Sequence, residues 1–281
     1  MLNNKIAIVI TCLLLSNVLF GQAKSCCTPA SETFSAFAAD IAFVNKHPEP
    51  EIFHYSEQKG EMIQFNTPDG TTANAYAVIA KEKSNAYIIV FHEWWGLNDY
   101  IKQMADKLAE DAGNVHVIAV DMYDGKVAEK REDAQTYMQS LKQERIKAIL
   151  QGLKAKLGAE AQIATIGWCM GGGLSMQASL VFGKQAKACV MYYGMPENDM
   201  ERLNTLSAPV MFIHANQDKW ITDKVVEFFE KNMQTAGKEL IVRRYDADHA
   251  FANPSNQKHN AEMAKDAYTN ALKFIRKGLN T

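Results

Sequence analysis

No sign of charge prevails in this chain: 30 lysines and arginines stand against 32 aspartates and glutamates, a net charge of −2. Binding to nucleic acid or an anionic membrane draws on a basic surface, so neither partner is expected. No phosphate loop ending in Gly-Lys-Ser/Thr is present, and no Gly-x-Gly-x-x-Gly follows a strand, which argues against nucleotide chemistry. His92-Glu93-Trp94-Trp95-Gly96 lacks the second histidine of a zinc-protease helix, so it is not read as a metal site. No internal repeat, low-complexity tract or domain-sized linker interrupts the chain. Its most apolar stretch, residues 6–20, contains Thr11, Ser16 and Asn17. It falls short of the ~20 residues that span a bilayer, so stable membrane insertion is not expected.

That stretch follows Lys5 and runs into Gly21-Gln22-Ala23, a small-x-small cleavage site. Residues 1–23 therefore read as a secretory signal peptide, and the mature protein as periplasmic or secreted. Lys24, just ahead of Cys26, speaks against a lipid-modified cysteine. Of the five cysteines, Cys12 leaves with the signal. Adjacent Cys26 and Cys27 are badly placed to bond to each other, and pairing with another chain or no structural role stays open. Cys189 lies in an apolar strand and reads as an inert core thiol. Export would carry a reactive Cys169 into an oxidising compartment.

The chemistry gathers at residues 162–182. Gln162 to Ile166 is an apolar run; Gly167-Trp168-Cys169-Met170-Gly171-Gly172-Gly173 follows, then an apolar stretch to Phe182. This reads as strand, sharp turn and helix, with Cys169 in the Gly-x-nucleophile-x-Gly pattern of a nucleophile elbow. Glycines two residues away let strand and helix pack closely and lift the thiol to the sheet's edge. The helix N-terminus favours a thiolate and any oxyanion formed beside it.

Around the elbow, an N-terminal extension over 24–58 carries one amphipathic helix, residues 31–46, capped by Ser31 and ended by His47-Pro48-Glu49-Pro50. Its part is read as structural. The main domain, 59–281, opens with strands at 62–66 and 73–80 joined through Pro68-Asp69-Gly70. Further strands fall at 87–91, 115–120, 162–166, 187–192, 210–214 and 240–245. Helices are expected over 99–112, 128–157, 174–182, 222–236 and 257–277. The alternation predicts an α/β fold, with a mostly parallel eight-stranded sheet covered by helices on both faces. Such sheets place chemistry at the carboxyl ends of their strands.

Three such ends stand out. One is Cys169; the others are Asp218, after strand 210–214, and His249, after strand 240–245. Nucleophile, acid, histidine is the order of the α/β-hydrolase triad. A histidine in reach takes the thiol proton, and an acid behind it fixes the ring's tautomer. The strand at 87–91 leads into Glu93, whose carboxyl beside Trp94 and Trp95 is expected to have a raised pKa that suits proton transfer. The backbone N–H groups of Met170 and Trp94 are the candidate oxyanion donors.

These motifs together resemble the dienelactone hydrolase family, from about residue 60 to 278. The resemblance rests on His92-Glu93-Trp94-Trp95-Gly96, Gly167-Trp168-Cys169-Met170-Gly171-Gly172, Asp218 and Asp248-His249-Ala250-Phe251. It implies an α/β-hydrolase fold, a Cys169-Asp218-His249 triad and a small ester or lactone substrate, with no metal or organic cofactor. It also implies that Glu93 contacts the resting thiol and accepts its proton when substrate binds. The thiolate then forms an acyl-enzyme, which water hydrolyses with His249 as base. Two departures bear on substrate. Members of the family hold a substrate carboxylate with two arginines. Here Asn253 stands four residues after His249, and Met122-Tyr123-Asp124-Gly125 has only Lys126 beside it. Asn does not replace bidentate guanidinium recognition. Tyr123, Trp94, Trp95, Trp168 and Phe251 suggest an aromatic substrate pocket instead, with Asn253 in it. Two other readings stay open: an idle α/β-hydrolase relative that binds a small molecule or senses oxidants, and a hydrolase of peptide or thioester bonds.

Overall fold

The structure is a computed structural model that describes residues 36–281. The segment expected to be a signal peptide, Cys26, Cys27 and the expected Ser31 cap lie outside the described residues. The expected sheet is present: eight strands in the order β1-β2-β4-β3-β5-β6-β7-β8. They are β1 (Glu61–Asn66), β2 (Thr72–Val78), β3 (Ala86–Phe91), β4 (His116–Val120), β5 (Gln162–Trp168), β6 (Ala186–Tyr192), β7 (Val210–Ala215) and β8 (Leu240–Tyr245). The pairings β1–β2 and β2–β4 are antiparallel; all the others are parallel. β3, β5, β6 and β7 are almost wholly buried, as apolar strands covered on both faces should be. The edge strands β1 and β8 alternate or open to solvent.

Helices lie on both faces. Neighbouring β6 residues point to opposite sides. Cys189 Sγ meets Ser175 Oγ of α5 (Met170–Phe182) at 3.6 Å, while Ala188 underlies Gly278 of α8 (Ala261–Leu279). On the first side α4 (Gln143–Leu157) is tied to α5 by Lys154 Nζ donating to Val181 O at 2.7 Å. On the other, α2 (Asp99–Asp111) is tied to α8 by Tyr268 Oη donating to Asp111 at 2.7 Å. Cys189 itself is fully buried. No helix among the described residues is long and apolar enough to cross a membrane.

Several expected elements are redrawn. The amphipathic N-terminal stretch is broken: Asp40 accepts from Ala42 N–H and starts a separate short helix, α1 (Ile41–Lys46). A side-chain cap of this kind ends one turn by opening the next. The expected helix over 128–157 is two, α3 (Arg131–Ser140) and α4, parted at Leu141, whose backbone is extended. A short helix absent from the sequence reading, α6 (Met200–Thr205), forms where Asp199 accepts from both Glu201 and Arg202 N–H. Helix α7 (Asp223–Thr235) fills its expected place. The last helix starts at Ala261 rather than 257, because Asn260 caps Met263 N–H.

One buried polar knot holds α2 against the sheet. Tyr76 Oη of β2 donates to Asp106 at 2.8 Å and accepts from Gly60 N–H at 2.7 Å; the other Asp106 oxygen accepts from Lys59 N–H. Tyr76→Phe leaves Asp106 short of a donor and Gly60 N–H short of an acceptor. The expected cost is about 1–3 kcal/mol, read from urea unfolding; an unchanged midpoint would show that water takes over both bonds.

Candidate active site

The turn from β5 into α5 sets Cys169 at φ 56°, ψ −120°. A non-glycine residue held there costs about 1–3 kcal/mol, tolerated only when its surroundings enforce it. The enforcement is close packing. A Cβ on Gly167 would stand 2.1 Å from Gly171 O, and one on Gly171 would stand 2.3 Å from Phe91 O of β3. Across the turn Cys169 N–H donates to Tyr192 O at 3.0 Å, which spends that amide on β6. The Met170 N–H, first in α5, is directed at the thiol and lowers its pKa. Burial outweighs it: Cys169 is 1% exposed and its thiol is pushed up, so at rest it keeps its proton.

His249 sits on the loop after β8. Its Nδ1–H donates to Asp218 Oδ2 at 2.5 Å, while Asp218 Oδ1 accepts from the N–H groups of Trp220 and Ile221. Burial alone would raise the Asp218 carboxyl, but His249 and the two amides hold it below the usual carboxylate range. His249 is buried too, yet the Asp218 charge and the Cys169 sulfur carry its pKa well above that of a free histidine. A ring nitrogen of His249 lies within 4.8 Å of Cys169 Sγ; with Nδ1 held by Asp218, Nε2 is the one left to face the thiol, and it makes no other hydrogen bond. The structure thus places Cys169, His249 and Asp218 near one another.

Glu93 follows β3. Burial pushes its carboxyl up to about 7. The Asn253 amide donates to Oε2, and Oε1 has no partner. The glutamate is therefore gripped by Asn253, with no hydrogen bond to the thiol, although its charge acts on Cys169. Behind it stands His92, which the sequence reading passed over. His92 Nδ1–H donates to Glu93 O at 2.5 Å and Nε2 accepts from Met122 N–H at 3.1 Å, so the ring pins two strand-end loops together. A histidine closing an otherwise apolar strand was the available signal.

A cavity of about 470 Å³ opens beside the site. Glu93, Trp95, Trp168 and Asn253 line it; Cys169 and His249 do not. The other pocket expectations are corrected. Phe251 is fully buried, packed on Tyr193 and Tyr245. Tyr123 does not line the cavity; its hydroxyl points at Met170 Sδ, 3.2 Å away, and its ring leans on His92. Trp94, on the same loop as Glu93, has a fully buried indole.

What covers that indole was not anticipated. Phe43 and His47 of the N-terminal segment pack on Trp94, with ring centroids 5.5 and 4.9 Å away, and His47 lies 5.1 Å from the His249 ring. Tyr193, at φ 37°, sets its ring 4.9 Å from His249. The segment read as structural therefore forms one wall of the site.

Comparison with known proteins fits this geometry. The family model described as "Dienelactone hydrolase family" matches residues 73–279. The chain belongs to the dienelactone hydrolase family. A protein of Aquifex aeolicus named as a candidate carboxymethylenebutenolidase is 27% identical over 230 residues, 77% of this chain and 98% of that one. A carboxymethylenebutenolidase of a Pseudomonas species is 28% identical over 116 residues, 41% of this chain and 48% of that one. In fold, a candidate dienelactone hydrolase from Klebsiella pneumoniae superposes with a TM-score of 0.66 at 20% identity, covering 78% of this chain and 99% of that one. As a dienelactone hydrolase-like hydrolase, the chain carries its candidate site at the carboxyl edge of the parallel strands. Helix α1 and His47 precede the matched residues.

The elbow packing has a direct test. Gly171→Ala drives a methyl into two backbone carbonyls, Phe91 O and His92 O. The expected loss is about 1–3 kcal/mol of stability, as for other overpacked cores, with hydrolase activity falling further than stability because the thiol moves. Wild-type activity in a folded variant would show that α5 is not pinned to β3.

Proposed function

We propose that this protein is an exported hydrolase of neutral carboxylic esters or lactones, using Cys169 as nucleophile. The observation that carries the reading is the line from Asp218 through His249 Nδ1 to an unpartnered Nε2 beside Sγ. A thiol kept protonated by burial needs a base on demand, and Glu93, raised to about 7, is poised to take that proton when substrate fills the cavity. The thiolate attacks the carbonyl carbon, and the oxyanion is received by the N–H groups of Met170 and Trp94. The C–O bond breaks as protonated His249 gives its proton to the leaving oxygen. Neutral His249 then takes a proton from water, whose hydroxide attacks the thioester. The departing sulfur recovers its proton from Glu93, which restores the resting state.

The cavity supports a small substrate without a carboxylate. Trp95, Trp168 and Met104 give it apolar wall; Glu57, Asp106 and Glu110 outnumber the one cation, Lys107, and no arginine among the described residues lines it. Burial of the thiol counts against oxidant sensing, which uses exposed, low-pKa cysteines. Export rests on the apolar segment at 6–20 and its small-x-small end.

Hydrolysis of a neutral activated ester, a neutral lactone and a carboxylated dienelactone by purified protein tests the reading. Neutral compounds are expected to be preferred. Cys169→Ala is expected to lower kcat by at least about 10³-fold, and Asp218→Asn by roughly 10²–10⁴-fold. Activity retained without the thiol would sink the mechanism, and preference for the dienelactone would sink the substrate assignment. For export, N-terminal sequencing of the mature protein is expected to start near Lys24; a chain retained in the cytoplasm with residues 1–23 intact would refute it.

A further inference from the structure

His47 is a buried polar side chain that the hydrolytic mechanism does not use. It is 4% exposed. Its Nδ1 faces Phe43 O at 2.7 Å, and a carbonyl only accepts, so Nδ1 carries the hydrogen. Burial and the neighbouring His249 push its pKa down to about 3, so the ring is neutral and Nε2 keeps its lone pair. That Nε2 has no partner, and neither has Nε2 of His249. One ring nitrogen of each histidine and Cys169 Sγ lie within 4.8 Å of one another; with each Nδ1 engaged by an oxygen, Nε2 is the nitrogen left to face the sulfur. Among the described residues this is the one such group of three able to hold a metal ion.

We propose that His47, His249 and Cys169 form a binding site for Zn²⁺, and that the bound ion switches the hydrolase off. The donor set is one thiolate and two imidazoles, the mixture that zinc takes in four-coordinate sites. Ligand bonds of about 2.0–2.3 Å place such donors roughly 3.3–3.6 Å apart. Side-chain rotation supplies the remaining contraction. The surrounding shell matches what metal-bound histidines use: each ring donates its other N–H, His47 to a backbone carbonyl and His249 to a carboxylate. Entry of the ion displaces the protons from Cys169 Sγ and His249 Nε2 to solvent; His47 contributes a lone pair and loses no proton. Nucleophile and base then become ligands. This inhibitory half rests on the roles proposed above for Cys169 and His249, whereas the coordination half stands without them.

The test uses full-length mature protein, metal-free and reduced with a phosphine, titrated with Co²⁺ as a spectroscopic stand-in and with Zn²⁺ in competition. One equivalent of Co²⁺ is expected to give a thiolate-to-cobalt charge-transfer band and the visible bands of a four-coordinate ion, both removed by Zn²⁺. His47→Ala and the bulkier His47→Gln are each expected to weaken Zn²⁺ binding by more than the ~10–100-fold typical of losing an outer-shell partner. Cys169→Ala is expected to lose the charge-transfer band. Each variant's ester hydrolysis is compared with its own metal-free rate, and Zn²⁺ inhibition is expected to weaken in step with affinity. The site is overturned if no charge-transfer band forms, or if band and affinity survive in Cys169→Ala and both His47 variants, as they would for an ion held at Cys26 and Cys27. Tight binding without inhibition overturns the switch and leaves the site. Absence of ester turnover in metal-free protein counts against the hydrolase reading alone, because the cobalt spectrum reports the site directly.

Discussion

The contact on which this site depends is the close approach of the first turn of α5 to the backbone of β3 and β6. Only hydrogen atoms fit between Gly171 and Phe91 O, or between Gly172 and Tyr192 O, where a Cβ would stand 2.3 and 2.7 Å away. That approach seats the helix, and the seated helix forces Cys169 into its positive-φ turn. The strain is sustained because parallel strands on either side are buried and cannot yield. The thiol's position, the direction of the Met170 N–H and the reach to His249 all follow from it.

Charge at the site is arranged by burial more than by pairing. Cys169 and Glu93 are both driven toward their neutral forms by loss of water, while Asp218 and His249 are kept ionic by each other. Four titratable groups in one small volume therefore divide into a thiol that keeps its proton, a carboxyl that exchanges one near pH 7, and an ion pair. Asn253 has a part in that division. Its amide grips Glu93, which ties the carboxylate's position to the loop following His249.

The N-terminal segment changes the boundaries of the functional unit. Phe43 stacks edge-on against Trp94 and Trp220, and His47 closes over His249. Trp220 Nε1 reaches back to Asp40, the cap of α1. A helix of six residues has little stability of its own in water. Here it is held by aromatic packing on the site it covers.

From residue order alone came the sheet, the elbow and the triad candidates, because each is written locally: apolar runs of strand length, glycines at fixed offsets, and an acid and a histidine each just past a strand. Boundaries set by side-chain caps, such as Asp40, Asp199 and Asn260, were misjudged, since a cap takes effect only when the neighbouring amides turn toward it. Aromatic residues near the motifs could not be sorted into wall and core by sequence. Trp95 and Trp168 line the cavity while Phe251 is sealed beneath Tyr193, a difference made by packing across elements far apart in the chain. His92 and His47 were hidden for the same reason. Their roles depend on Met122, Trp94 and His249, contacts that exist only once loops 30 to about 200 residues apart meet at one edge of the sheet.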